Sequence, residues 1–136
     1  MDALVMAGGM GKRLGKDEKP LTLLCDKPMI CYVLSSLLGS KNIDRIIIAT
    51  SPWVKKTNKW LSGFIKDHDD VELIQTPGNG FVNDMVIAAE KAGIKGPVFI
   101  IMADLPLVTA ELIDGIIEKY HNVNSPALSV HMKLDI

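Results

Sequence analysis

The chain alternates between short apolar runs and longer stretches of helical spacing. Residues 2–7 (DALVMA) predict a buried strand, followed by a glycine-rich loop over 8–15. Residues 28–38 predict a helix, with Pro28 at its start and Gly39 at its stop. Residues 44–50 (DRIIIAT) predict a β-branched strand. Over 53–66 the pairs Trp53/Val54, Trp60/Leu61 and Phe64/Ile65 recur at the spacing of one helix face, which predicts core packing for the tryptophans ahead of a stacking surface. Strand 71–75, turn 76–80 and helix 81–92 follow. Residues 98–103 are apolar throughout, as expected of a strand covered on both faces. A helix over 110–120 has Thr109 as its N-cap, with Glu111 and Asp114 near its positive end. The alternation over 127–132 predicts a closing strand.

Strand and helix in turn, repeated four times, predict an α/β domain: a three-layer, Rossmann-like arrangement with helices on both faces of a mostly parallel sheet. Ligands of such sheets lie beyond the carboxyl ends of the strands. Three segments fall there, 8–15, 76–84 and 104–106, far apart in sequence and convergent in space.

Composition adds bounds. The 136 residues are 48% apolar and 23% charged, which fits one globular core. No apolar run approaches the ~20 residues of a membrane span, and the amino terminus lacks the pattern of a signal peptide. A net charge of −1 argues against a general nucleic-acid binder. Residues 1–60 are basic on balance and residues 61–136 acidic, a split that suits a phosphate-facing first half and a metal-facing second half, or has no meaning once the chain folds. Cys25 and Cys31 lack CxxC spacing and are expected as free thiols in a reducing cytoplasm. His68, His121 and His131 lack the spacing of metal ligands.

Candidate chemistry starts at the glycine loop, Ala7, Gly8, Gly9, Met10, Gly11, Lys12 and Arg13, continuing to Gly15. Glycines let backbone N–H groups approach an anion, and Lys12 and Arg13 add charge beside phosphates. The spacing is not that of a Walker A loop. Nor does the loop run straight into a helix, because Pro20 follows closely, and no acidic residue clearly ends the second strand as a dinucleotide binder requires. Lys19, held extended before Pro20, either reaches back over the loop or is an ordinary solvated lysine. Asp104 follows the apolar strand 98–103, where a carboxylate suits Mg²⁺ bound together with phosphates and water, or serves as a turn or cap residue. In the turn opening the helix at 81, Gly80, Asn83 and Asp84 either meet a base or ribose or serve as turn and cap residues. Ser51, after strand 44–50, either lines the pocket or starts a helix.

The motif Gly8, Gly9, Gly11, Arg13, Gly15, then Lys19-Pro20, together with MADLP at 102–106, resembles the nucleotidyltransferases of the molybdenum-cofactor-transferase, GT-A-like type. Within that superfamily the MDALVMAGG start, EKPL, IIIATSP (46–52) and GNGFVND (78–84) resemble the archaeal guanylyltransferases that act on adenosylcobinamide phosphate in cobalamin synthesis. The resemblance runs to about residue 130. It implies transfer of GMP from GTP to a phosphate-bearing acceptor, with release of pyrophosphate. Arg13 and Lys19 would stabilise pyrophosphate charge, loop 8–15 would cradle the phosphates, Asp104 would hold Mg²⁺, and 78–84 would lie near base and ribose. Molybdopterin or a sugar or polyol phosphate are the other acceptors such a fold admits. The family usually continues further, with an antiparallel strand beside 98–103. This implies a single, C-terminally short domain that binds nucleotide and transfers weakly or not at all, the latter making it a non-catalytic GTP-binding module, and a free edge that a second copy could cover.

Overall fold

The computed structural model describes residues 1–9 and 18–130. Four parallel strands, β1 (Asp2–Met6), β4 (Arg45–Thr50), β5 (Val71–Gln75) and β6 (Val98–Met102), form a sheet in the order β5-β4-β1-β6. In register, Met6 lies beside Ala49 on one side and Met102 on the other, so the carboxyl ends of three strands line up. Between β1 and β4 lie a short antiparallel hairpin, β2 (Leu23–Leu24) and β3 (Lys27–Pro28), and helix α1 (Met29–Gly39). The hairpin turn places Cys25 and Asp26 at positive φ, 50° and 66°, as two-residue hairpin turns require. Helices α2 (Lys55–Phe64), α3 (Phe81–Lys91) and α4 (Ala110–Asn122) complete the fold.

The strand period of two splits the core between the faces. On one face Ala3, Val5, Ile46, Ile48 and Ile101 pack against α1, α2 and α4, through Leu34, Leu61 and Ile113 among others. On the other, Leu4, Met6, Ile47, Ala49 and Ile74 meet Ala88 and Ala92, on and just after α3. The second face therefore has a single helix over β1, β4 and β5.

That thin layer corrects one expectation. Strand β6 is an edge strand of the described sheet, and beyond Val98, which packs against the second core, it is covered on one face only: Ile100 and Met102 are 41% and 40% exposed. Residues 127–130 form no strand, and 131–132 lie outside the described residues. The alternation there has no adjacent strand to pair with among the described residues. Helix α2 starts at Lys55, so Trp53 sits in the preceding turn, 54% exposed, whereas Trp60 packs on the core and stacks on Phe64 at 5.5 Å. Thr109 caps α4 as expected, its Oγ1 accepting the Leu112 N–H at 3.1 Å. Asp114 is used differently: it clasps the end of α1, accepting from the hydroxyl of Ser40, the side chain of Asn42 and the backbone of Lys41. Among the described residues no helix is long and apolar enough to cross a membrane.

Candidate active site

The carboxyl ends of β1, β4 and β6 and the turn into α3 enclose an open cavity of about 490 Å³, within the size range of small-molecule sites. Met6, Ala49 and Met102 form an apolar floor, and Phe81 lines it from the start of α3. Of the residues expected at the site, Ala7, Gly8, Gly9 and Lys19 line the cavity. So do Gly80, Asp84 and Asp104. Met10, Gly11, Lys12 and Arg13 lie outside the described residues. Asn83 is exposed on α3 and does not line the cavity.

The sheet itself delivers the glycines. The Ala7 N–H donates to Ala49 O at 2.8 Å and the Ala103 N–H to Met6 O at 3.1 Å, so the ladder runs one residue past β1 and β6. The chain beyond Met6 thus leaves the sheet beside Asp104. Space favours glycine at position 8: a Cβ there would lie 3.1 Å from Ser51 N and 3.2 Å from Thr50 C, closer than ordinary contact. Ser51 is buried and does not line the pocket; its hydroxyl donates to Gly8 O at 2.6 Å and fixes the loop from behind.

Lys19 reaches the cavity from the other side. Its Nζ lies 3.5 Å from Asp104 Oδ2, with both side chains partly exposed. The expected extended backbone belongs to Glu18, while Lys19 opens a 3₁₀ turn, Lys19–Leu21, that buries Pro20. Glu18 explains the placement, and sequence reasoning missed it. Its Oε1 accepts from Thr57 N (2.8 Å) and Thr57 Oγ1 (2.6 Å), and its Oε2 from Lys56 N (3.0 Å). The carboxylate caps the first turn of α2 from a distant segment, where the helix's own N-cap, Val54, offers no side-chain acceptor. Burial works to raise the Glu18 carboxyl. The hydrogen bonds from Thr57 and Lys56 and the Lys56 charge outweigh it and hold the group below the ordinary carboxylate value. The one available signal was a helix start, Pro52-Trp53-Val54-Lys55, without a capping residue.

The far wall is the turn into α3. Gly78 has φ +79°, and a Cβ there would fall 2.3 Å from Trp53 Nε1, which donates to Gly78 O at 3.3 Å. Asp84 is 6% exposed, and its Oδ1 accepts the Gly78 and Asn79 N–H groups at 3.1 and 3.4 Å. Thr76, which also lines the cavity, donates its hydroxyl to Thr50 O at 3.0 Å. Asp84 was a candidate in the sequence, with turn and cap chemistry as its alternative; Gly78 and Thr76 were not separable from ordinary turn chemistry there.

Among the described residues no group of three His, Cys, Asp or Glu side chains gathers as a metal cage. The donor set at the cavity is the carboxylate of Asp104 beside Lys19, while the other lining carboxylate, Asp84, already accepts two N–H groups of its turn. That fits a divalent cation which keeps its waters and takes its remaining ligands from phosphates.

Two archaeal relatives are similar over most of this chain. It is 37% identical over 126 residues to an adenosylcobinamide-phosphate guanylyltransferase of Methanocaldococcus jannaschii, covering 92% of this chain and 62% of that one. It is 31% identical over 127 residues to a probable molybdenum cofactor guanylyltransferase of Thermococcus kodakarensis, covering 93% and 57%. The chain thus spans about 60% of the length of these relatives. In fold it is similar to a cytidylyltransferase structure from Leptospira borgpetersenii, with a TM-score of 0.70 at 17% identity over 90% of this chain and 49% of that one. A CMP:2-keto-3-deoxy-manno-octonic acid synthetase complexed with CTP gives 0.67 at 16% identity, over 90% of this chain and 48% of that one. The family model described as the MobA-like NTP transferase domain matches residues 3–133, and the chain belongs to that family.

Proposed function

We propose that the chain binds GTP and serves guanylyl transfer to a phosphate-bearing acceptor, with adenosylcobinamide phosphate favoured and cobalamin biosynthesis as its setting. The observation that carries this reading is the convergence of Gly8, Gly9, Lys19 and Asp104 on one cavity at the carboxyl edge of the sheet. The choice of acceptor follows the relative at 37% identity.

In this reading an acceptor phosphate oxygen attacks the α-phosphorus of GTP. A new P–O bond forms as the bond to the β-phosphate oxygen breaks, and pyrophosphate leaves with the electron pair. No covalent intermediate with the protein is required, so catalysis is positioning and charge neutralisation. The backbone around Gly8 and Gly9 lies against the phosphates. Lys19, held by the Glu18 tether, and Arg13 balance charge building on pyrophosphate. Asp104 holds Mg²⁺, which when bound screens and orients the phosphates. Free Cys25 and Cys31 suit the cytoplasm. The outer edge of β6, without a partner strand among the described residues, suits a homodimer, and a monomer in sedimentation at high concentration would remove that element.

Thermal-shift measurements with GTP, ATP, CTP, UTP and NAD, each with and without Mg²⁺, test the reading. Ligand at 100 times its dissociation constant stabilises by about 2.7 kcal/mol, a shift of several degrees. A Mg²⁺-enhanced shift with GTP is expected, followed by pyrophosphate release when adenosylcobinamide phosphate is added. Release with molybdopterin alone reassigns the acceptor. GTP binding without release from any acceptor makes the chain a binding module. A shift with NAD alone overturns the reading.

A further inference from the structure

Asp84 carries more than its turn requires. It is a nine-tenths buried carboxylate on the cavity wall. Both of its hydrogen bonds, from Gly78 N and Asn79 N, go to Oδ1. Among the described residues no donor bonds Oδ2. Thr50 Oγ1 is the one buried, partnerless side-chain polar atom among the described residues. Asp84 Oδ2, also partnerless, therefore retains accessible surface, and the space beside Asp84 is the cavity. An asparagine would hold the turn equally well through its amide oxygen. The second carboxylate oxygen is surplus to the fold, and with surface open beside the cavity it is free to accept from a ligand.

The topology says which part of a nucleotide reaches it. Asp104 and Lys19 stand at the β6 end of the cavity; Thr76, Gly78 and Asp84 belong to the β5 end. Three strand spacings separate β6 from β5, about 14 Å, on the order of an extended nucleoside triphosphate. With phosphates beside Lys19 and Asp104, the base falls at the β5 end, where Phe81 offers an apolar surface.

Resting on the GTP-binding reading above, we propose that Asp84 is the residue that reads the base: Oδ2 accepts the adjacent N1–H and 2-amino donors of guanine. Adenine and cytosine present a ring-nitrogen acceptor at the corresponding place, which a carboxylate oxygen repels. Uracil presents one donor between two acceptors. Selectivity for GTP thus arises at a position whose other oxygen builds the turn.

The test is calorimetric titration, with Mg²⁺, of the wild type and Asp84→Asn against GTP, ATP, XTP and ITP. The asparagine keeps the turn acceptor and points an N–H₂ donor into the cavity. Adenine presents its N1 acceptor to that donor; xanthine offers it a 2-carbonyl but keeps the opposing N1–H. Expected is a loss of about 10–100-fold for GTP in the variant, from a charge-assisted hydrogen bond. ATP should gain about tenfold, because its N1 acceptor then meets an N–H₂ donor in place of a carboxylate oxygen, with XTP little changed. In the wild type, ITP, lacking the 2-amino group, should bind about tenfold more weakly than GTP, a readout that needs no variant. Equal losses for GTP and ATP in Asp84→Asn, or no loss, overturn the inference while leaving the GTP reading in place. ITP binding as tightly as GTP likewise overturns it. A wild-type chain that binds no nucleoside triphosphate overturns both.

Discussion

The two edges of the sheet treat polar groups in opposite ways. At the amino edge they pair with one another. Arg45 donates to Asp2 at 2.8 Å and to Ala92 O at 2.9 Å, with Glu72 at 3.6 Å. The Asp2 hydrogen bond raises the guanidinium above its ordinary value, opposed by burial and helped by the charges of Asp2 and Glu72. The amino terminus contacts Asp44 and the Asn42 carbonyl, and Asp114 takes three partners. At the carboxyl edge the backbone is glycine-lined, Lys19 and Asp104 form one long ion pair at 3.5 Å with both side chains partly exposed, and Asp84 leaves one oxygen open. Groups satisfied within the chain hold the fold. Groups left part-satisfied beside a cavity are those with capacity for a ligand.

Substitutions should separate the edges. The largest effect is expected from Asp104→Asn. Mg²⁺-dependent tightening of GTP should fall by about 100-fold or more, given the several kcal/mol a divalent cation supplies, with Tm little changed. Calorimetry with and without Mg²⁺ checks this, and persistent Mg²⁺ dependence would place the metal elsewhere. Gly78→Ala must place a side chain at φ +79° against Trp53. A cost of about 1–3 kcal/mol is expected, with a changed Trp fluorescence that reports indole displacement. Glu18→Ala removes the tertiary cap of α2, about 1–2 kcal/mol by analogy with N-caps, and should also weaken GTP because Lys19 loses its anchor. Unaltered GTP affinity would show that Lys19 holds its place without Glu18. At the amino edge Arg45→Ala should cost less, about 1 kcal/mol or below for partly exposed ion pairs. Nucleotide affinity should stay the same; a loss there would break the division of labour.

Acid sharpens the comparison. The Ser40 hydrogen bond, against the opposing pull of burial and with help from Lys41 and Asn42, holds the Asp114 carboxyl below its ordinary value, and Glu18 is held low as well. A carboxyl lowered in the folded state contributes stability that is complete above its unfolded value. That contribution is lost as pH falls through the folded value. Tm should therefore decline as pH falls below the ordinary carboxylate range, and Asp114→Asn should flatten part of that decline. An unchanged acid limb in the variant would remove Asp114 from the account.

Much of the element order was legible because each element answers to local rules. Residues 44–50 and 71–75 are β-branched or alternating runs, and Thr109 stands where a helix needs an acceptor. The candidate site was legible where residue type is constrained locally, as at Gly80 with its φ of +123°. Trp53 was misplaced because helical spacing continues numerically past the true helix start, which depends on a cap supplied from residue 18. Strand β6 looked doubly covered because an apolar run reports hydrophobicity without saying whether a helix is present to cover it. Residues 127–130 show the same gap, since alternation makes a strand only where a neighbouring strand supplies hydrogen bonds.

By itself the sequence determined the alternating α/β plan, the glycines at the end of β1 and the resemblance that names a nucleotidyltransferase, because periodicity, turn chemistry and motif spacing are properties of contiguous residues. Only the tertiary structure decided that Glu18 anchors Lys19, that Ser51 braces Gly8 from outside the cavity, and that Asp84 keeps one oxygen free. Those facts depend on which groups meet across sequence separations of 38 or 43 residues, and on which atom of a carboxylate a turn occupies. Hydrogen bonds of that kind are fixed by packing, and packing is set by the whole chain at once.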